Sequence, residues 1–525
     1  MSLSSEQTLA VLTELAPYLS DWTRFQVEYS GTPGAQVAVS YRGELLMNAA
    51  HGHANTATGE PLTADHLFRI ASHSKTFTAV ALFRLVENGK LRLDDTVAAW
   101  IPALADCEAG SRTVRELLGH QGGYIRDSAD GDFWQRGFEF LGEEELLEVV
   151  RREGIVYPAN SSFKYSNISY SVLGLVIEAV TGKPYAEALA EFVVEPLGLQ
   201  NTGPEYVEAR GSEYAAGHTG RTAFADERRV IPHVDTRAMA AATGWFSTAA
   251  EMTVYGAAHV LGDETLLRDA SKRLMQREET RVLAPNGDIR RYGLGMDLQK
   301  VGERELVGHS GGYPGHITRT WIDPEDGLVV SALTNAIDGP AATIAAGVVE
   351  IIDAVLDAVG SVLSGEEEAI PEHLLFSGRF ANLWGVTDVV SVGASVDAPV
   401  LLTVGPRAPL PKATLGRLVY DPEHDRLLTE PEPGFTAHGE PVVVDWDGAG
   451  GARGERGADG EGGADGSGAD GEGGADGSGG ASGPRGGEVH SARIGAMTSW
   501  PIDRYRAAIA GERPDRDLDG KLSLH

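Results

Sequence analysis

The order of extended and helical patterns in the first 365 residues limits the fold more than any other feature. A helical pattern over 5–22 opens the chain. Gly34–Tyr41 then alternates as a strand does, Arg42-Gly43 supplies a turn, and a second strand begins at Glu44. Helical periodicity follows over Ser74–Glu87, with Gly89 as its stop, and over Val114–Leu118, 170–181 and 185–192. Strand patterns return at 306–307, 317–323 and 328–333, and a long helix over 341–359 closes the region with Gly360 as its stop. Strands thus stand at both ends of the region, with helices between them. The expected class is α+β: one antiparallel sheet carrying a helical insertion.

The rest of the chain has a different grain. Residues 386–404 and 415–420, EPVVVDW at 440–446 and EVHSARIGAMTSW at 488–500 are short β-branched or alternating runs between Gly, Pro and Asp. They predict a small all-β, barrel-like domain over 370–505, after a larger domain over 1–365. Between its last two runs lies 448–487, with 19 glycines in 40 residues and GADGEGGADGS at 457–467 repeated at 468–478. That insert has no large apolar residue to offset ordering entropy, so it is expected to be a disordered loop in place of a hairpin turn. A β-roll of calcium-binding repeats would need a periodic large apolar residue that is missing here. A charged tail is expected over 506–525.

Charge and cysteine content remove several classes. The net charge of −32 opposes nucleic acid and anionic membrane surfaces. The insert holds seven acids and three bases, so most of that charge lies elsewhere. A single cysteine, Cys107, excludes an internal disulfide framework, and its neighbours Asp106 and Glu108 disfavour a reactive thiolate. No H-E-x-x-H or thiolate cluster is present, so neither a metal nor an organic cofactor is expected. Met1 to Glu6 show no basic stretch leading into an apolar one, and the most apolar long run, 341–362, is broken by Glu350, Asp353 and Asp357. These features predict a soluble, cytoplasmic protein without membrane insertion.

Three short motifs carry chemistry. Ser72-His73-Ser74-Lys75 is an S-x-x-K spacing, which sets serine and lysine one helical turn apart on one face. A serine hydroxyl needs a neighbour to take its proton, and a lysine amine can do so once burial lowers its pKa. Tyr165-Ser166-Asn167 offers a phenol that cationic neighbours could lower into a general base, and an amide that can bind a substrate carbonyl and the lysine amine. His309-Ser310-Gly311-Gly312 follows a short strand, where glycines let a substrate backbone lie alongside. There the Gly312 N–H can join the Ser72 N–H as an oxyanion hole, with His309 as donor or positive charge. Each motif alone is commonplace; the three in this order, 93 and 144 residues apart, are not.

The ordered set resembles the SxxK serine hydrolases: class C β-lactamases, D-alanyl-D-alanine carboxypeptidases, D-aminopeptidases and related esterases. The resemblance covers about residues 25–365. It extends to Leu117-Leu118-Gly119-His120-Gln121-Gly122-Gly123, similar to the family's LLxHxSG segment, and to Gly244-Trp245-Phe246-Ser247-Thr248-Ala249, similar to its GGxxSTA segment. It implies Ser72 as acyl-enzyme nucleophile, Lys75 and Tyr165 as the proton-transfer pair, and Asn167, His309, Gly311 and Gly312 as substrate or transition-state contacts. Two departures shape the expectation. His309 stands where β-lactamases carry lysine, which favours peptidase-like members, and Trp245 replaces a small residue and is expected to narrow the cleft. Ser377-Gly378-Arg379-Phe380 resembles the start of a lipocalin-like domain appended to some members, a layout shared by penicillin-binding-protein-type thioesterases that cyclise nonribosomal peptides. The implied partners are small-molecule or peptide substrates, including a thioester-linked peptide on a carrier protein. Peptide hydrolysis, cyclisation, small-ester hydrolysis, weak β-lactamase activity and a catalytically dead binding role stay open, as does oligomeric state.

A competing reading takes Gly308-His309-Ser310-Gly311-Gly312 as the G-x-S-x-G nucleophile elbow. That elbow needs a helix directly after the serine, whereas Gly311-Gly312-Tyr313-Pro314-Gly315 and a β-branched stretch follow.

Overall fold

The computed structural model describes residues 3–510, except 137–139, 222–226, 284–286, 288, 408–410, 412–413, 432–437, 448–487 and 496. The Gly/Asp insert therefore lies outside the described residues, as does the tail beyond 510. The chain divides into two compact units. One is Leu15–Asp353; the other combines Met1–Glu14 with Ala354–His525.

Helix α1 (Ser5–Ser30) opens the chain and is eight residues longer than the sequence pattern suggested. The first unit is built on a nine-stranded antiparallel sheet. Its strands are β1 (Gly34–Tyr41), β2 (Glu44–Asn55), β3 (Glu60–Pro61), β4 (Thr280–Leu283), β5 (Ile289–Tyr292), β6 (Asp297–Val301), β7 (Arg304–Tyr313), β8 (His316–Ile322) and β9 (Leu328–Thr334). The order is β3-β2-β1-β9-β8-β7-β6-β5-β4. The early strands thus meet the late ones at the centre, where β1 pairs with β9 from Ala35↔Thr334 to Tyr41↔Leu328. Both central strands are buried along their whole length, which accounts for their apolar or small side chains on both faces.

The helical insertion between β3 and β4 holds α2 (Ser74–Glu87), α3 (Asn167–Thr181) and α4 (Ala249–Ala257). Eleven of the fourteen α2 residues are buried, the polar Ser74, Lys75, Thr76 and Thr78 among them. Helix α3 begins three residues before the apolar periodicity does, because the Ser166 hydroxyl caps it by accepting the Ser169 N–H at 2.9 Å. Helix α4 packs on the sheet through Gly256, where a Cβ would stand 2.6 Å from Val329 Cγ1. Helix α5 (Ala341–Leu363) runs through Gly360 rather than stopping at it. A glycine inside a helix costs only about 1 kcal/mol, and the left-handed stop is Gly365, with φ +75°.

The second unit contains a closed antiparallel barrel of eight strands, β10 (Gly378–Asn382), β11 (Gly385–Val392), β12 (Val400–Val404), β13 (Gly416–Asp421), β14 (Arg426–Thr429), β15 (Pro441–Trp446), β16 (Val489–Arg493) and β17 (Thr498–Pro501). Neighbours in sequence are neighbours in the barrel, and β10 closes it against β17 through Ala381↔Trp500. Phe376, Phe380, Val389, Leu401, Leu418, Leu427 and Val489 fill its core. The strands flanking the insert pair with each other, Trp446 opposite Val489. A short helix, Ile502–Ile509, follows β17 and extends into the segment read as tail. Among the described residues, no helix is long and apolar enough to cross a membrane.

Candidate active site

The short strand Phe68–Arg69 pairs with Phe246–Ser247 and leads into a 3₁₀ turn over Ala71–His73. Ala71 has φ +50°, a left-handed conformation that costs an L-residue roughly 1–2 kcal/mol. Ser74 Oγ holds the turn by donating to the Ala71 carbonyl at 2.5 Å while accepting the Trp245 N–H at 3.1 Å. From Leu67 to Phe83 every residue is buried except Ser72. The turn therefore raises one hydroxyl out of an otherwise closed segment.

Lys75, one helical turn on, is fully buried. Its Nζ lies 3.0 Å from Ser72 Oγ, 2.8 Å from Asn167 Oδ1 and 2.9 Å from the Ala242 carbonyl. The Asn167 amide is oriented by its Nδ2, which donates to Asp127 Oδ1 at 2.7 Å. Two of the three lysine neighbours can thus only accept. Burial pushes the lysine pKa well below its ordinary value, with Asp127 opposing and Arg126 assisting. A neutral amine with N–H bonds to Asn167 and Ala242 has its lone pair left for the Ser72 hydroxyl.

Tyr165 OH donates to Ser72 Oγ at 2.8 Å. The sequence reading had cationic neighbours lowering this phenol. Burial instead raises its pKa above the ordinary tyrosine value, with the bond to Ser72 opposing. The cause is the phenol's own burial, which disfavours the charged phenolate more than the neighbouring Arg126 favours it. In this network the Tyr165 hydroxyl and the Lys75 amine both meet Ser72 Oγ.

His309 lines the same cavity, but the expectation of a positive charge there is corrected. Burial lowers its pKa to about 4 against the opposing pull of Asp297, so it is neutral near pH 7. Its Nδ1 lies 2.6 Å from the Ser310 carbonyl, which can only accept, so Nδ1 carries the proton. Nε2 is then an acceptor, with the Tyr292 hydroxyl donating at 3.2 Å. Asp297 lies behind it: burial would raise its pKa, but the charges around it, among them the Arg319 guanidinium bonded at 2.9 Å, bring it below the ordinary carboxylate value. Positive charge at the cavity comes instead from Arg126, Arg290 and Arg291.

Gly311 and Gly312 do different things. A Cβ on Gly311 would stand 2.2 Å from the Ile70 carbonyl and 2.3 Å from Thr318 Oγ1, so β7 touches the nucleophile turn only because a glycine is there. Gly311 is buried and is not among the cavity-lining residues. Gly312 is exposed to the cavity. The β7–β8 hairpin closes with Tyr313↔His316, and bonded pairs alternate from there, so Gly312 turns its N–H away from β8. Strand β6 pairs with β7 only as far as Gly308, which leaves that N–H facing the cavity.

The cavity measures about 450 Å³. Ser72, Tyr165, Asn167, His309, Ser310 and Gly312 line it, with Asp127, Trp134, Phe163, Val282, Tyr292, Asp297 and the three arginines. Lys75 lies beneath its floor. Trp245 does not narrow it: the indole is fully buried, stacked on Phe77 and donating to Tyr185 OH at 3.0 Å. Ser310, the serine of the elbow alternative, sits inside β7, which continues to Tyr313 as strand. Sequence reasoning missed Ala242, Asp127, Tyr292 and the Asp297–Arg319 pair. A backbone carbonyl has no sequence signature, and the others lie outside any motif.

With this geometry in hand, comparison with known proteins is decisive at the family level. The beta-lactamase family profile matches residues 21–351. The chain belongs to the beta-lactamase family of SxxK serine hydrolases. Esterase EstB of Burkholderia gladioli is 34% identical over 195 residues, 35% of this chain and 49% of that protein. Penicillin-binding protein 4 of Amycolatopsis lactamdurans is 28% identical over 58% of this chain and 81% of its own length. The chain thus spans about half of the esterase and about four fifths of the penicillin-binding protein. The D-amino acid amidase of Ochrobactrum anthropi, solved with D-phenylalanine, has a TM-score of 0.54 at 25% identity, covering 66% of this chain and 99% of the amidase.

Proposed function

We propose that this family member is a serine acyl-enzyme hydrolase or acyltransferase acting on a peptide carbonyl next to a D-residue. One observation carries the proposal: the buried Lys75 Nζ stands 3.0 Å from Ser72 Oγ, with Asn167 Oδ1 and the Ala242 carbonyl as its other partners. As Ser72 attacks, its proton passes to Nζ, and the N–H groups of Ser72 and Gly312 take the developing oxyanion. Preorganised donors of this kind are worth roughly 3 kcal/mol each. Tyr165, hydrogen-bonded to Ser72 Oγ, delivers a proton toward the leaving group and recovers one through Lys75. Asn167 orients both Lys75 and the substrate carbonyl. Water or a peptide amine resolves the acyl-enzyme. The D-residue preference draws on the amidase likeness, and it suits a cytoplasmic enzyme that takes a free peptide or a carrier-linked peptidyl thioester and hydrolyses or cyclises it.

A small-ester esterase is the second reading, favoured by the 34% identity to EstB. Intact mass spectrometry separates them with four substrates: a peptidyl thioester ending in a D-residue, a D-aminoacyl amide, p-nitrophenyl butyrate and a cephalosporin. Acylation and turnover of the first two support the peptide reading, and cyclic product from the first selects the thioesterase form of it. Turnover of the ester alone supports the esterase. No adduct with any of them overturns the acyl-enzyme proposal.

A further inference from the structure

The L-G-H-Q-G-G stretch that resembles a family segment is not absorbed by the chemistry above, and its histidine is buried against the site. His120 has φ +56°, a left-handed conformation uncommon outside glycine that asparagine, aspartate and histidine adopt more readily than other residues. That conformation lets one residue grip the chain on both sides of Tyr165. The His120 carbonyl accepts the Lys164 N–H at 2.8 Å. Its Nδ1 accepts the Ser166 N–H at 3.2 Å, which fixes the neutral tautomer with the proton on Nε2. The imidazole lies against the Tyr165 ring, with centroids 4.4 Å apart. The neighbouring contacts between the two segments run from backbone to backbone: Asn160 N–H to the Gln121 carbonyl at 2.9 Å, and Val156 N–H to the Gly123 carbonyl at 2.8 Å. Side chains add to these contacts: the Ser166 hydroxyl donates to the Ile125 carbonyl at 2.6 Å and Asn160 Nδ2 to Glu116 Oε1 at 2.6 Å, while His120 is the one that holds the chain on both sides of the phenol, at residues 164 and 166.

We infer that His120 is a positioning residue: it clamps residues 164–166 so that the Tyr165 hydroxyl stays on Ser72 Oγ. The inference rests on the proposed role of Tyr165 and deepens it.

A double-mutant cycle tests this, using p-nitrophenyl butyrate turnover, fluorophosphonate labelling of Ser72 and the melting temperature of each variant. His120→Phe keeps the ring and loses the acceptor. His120→Asn keeps an acceptor at the Nδ1 position and tolerates the left-handed backbone. The expected result is a fall in kcat of about 10–100-fold for His120→Phe, with KM changed less than about 3-fold, and recovery of most of that loss in His120→Asn. In the Tyr165→Phe background, His120→Phe is expected to cost less than about 3-fold more, because the group it positions is already gone. Equal losses in both backgrounds would mean a general structural role and overturn the inference. So would a His120→Asn variant that melts like the wild type but loses as much activity as His120→Phe. If His120→Phe does not fold, His120→Gly, which accepts the left-handed backbone and removes the acceptor, takes its place in both backgrounds and is read the same way. Full activity in Tyr165→Phe would remove the underlying role of Tyr165, and the inference with it; that failure is distinct, since it appears before any change at His120.

Discussion

At the scale of single residues, the site turns on protonation states that burial sets. Lys75 is competent as a base only when neutral, and burial lowers its pKa well below that of a free lysine. The sign follows: the neutral fraction grows as pH rises through the folded-state pKa, so acylation slows as pH falls through it and is fullest above it. Lys75→Arg places an always-charged group there and is expected to slow acylation by about 10³-fold at every pH, removing the acid limb from the profile. Stopped-flow acylation between pH 5 and 9 checks both statements, and an unchanged limb in the variant would exclude Lys75 as its source. The S-x-x-K pair was legible in the sequence because its spacing sets both residues one helical turn apart, and Y-x-N because it stood in order with the other two motifs. The neutrality of His309 and the raised Tyr165 were not, because desolvation is a property of the packed site rather than of any segment.

At the scale of elements, the nucleophile is placed by contact between a turn and a strand. Strand β7 reaches the Ile70 carbonyl across Gly311, so Gly311→Ala must push the Ala71–His73 turn away. It is expected to lower labelling of Ser72 at least about 100-fold and to reduce stability by roughly 2 kcal/mol or more. At Gly312 the nearest atom to a Cβ is Ile317 Cδ1 at 3.6 Å, an ordinary contact. Gly312→Ala should therefore melt like the wild type while raising KM, since its methyl enters the cavity. Similar melting losses in the two variants would contradict this division. The sequence located most elements but not their ends. Helix α3 starts at Asn167 because Ser166 caps it, and α5 passes Gly360 because a helix interior tolerates glycine. Strands β4 and β5, which bring Tyr292 to His309, carry no distinctive alternation and went unread.

At the scale of the molecule, the sheet joins both ends of the first 365 residues as their patterning required, and the barrel closes as the later β-branched runs suggested. Buried imidazoles give the fold a distinct response to acid. Burial lowers His73 and His259 to about 3 and His233 to about 4, against about 6.5 when unfolded. Between about pH 6.5 and pH 4 the unfolded chain takes up protons that the native state refuses, so stability is expected to fall across that window. His259 has no hydrogen bond at either ring nitrogen and packs edge-on against Tyr255. His259→Phe should therefore flatten the dependence of melting temperature on pH by up to one proton. Parallel curves for variant and wild type would count against this account.

The central claim is that Ser72, and not Ser310, carries the acyl group. Intact mass spectrometry after treatment with a fluorophosphonate tests it directly in the full chain. One adduct is expected on the wild type and on Ser310→Ala, and none on Ser72→Ala; an undiminished adduct on Ser72→Ala would contradict the claim.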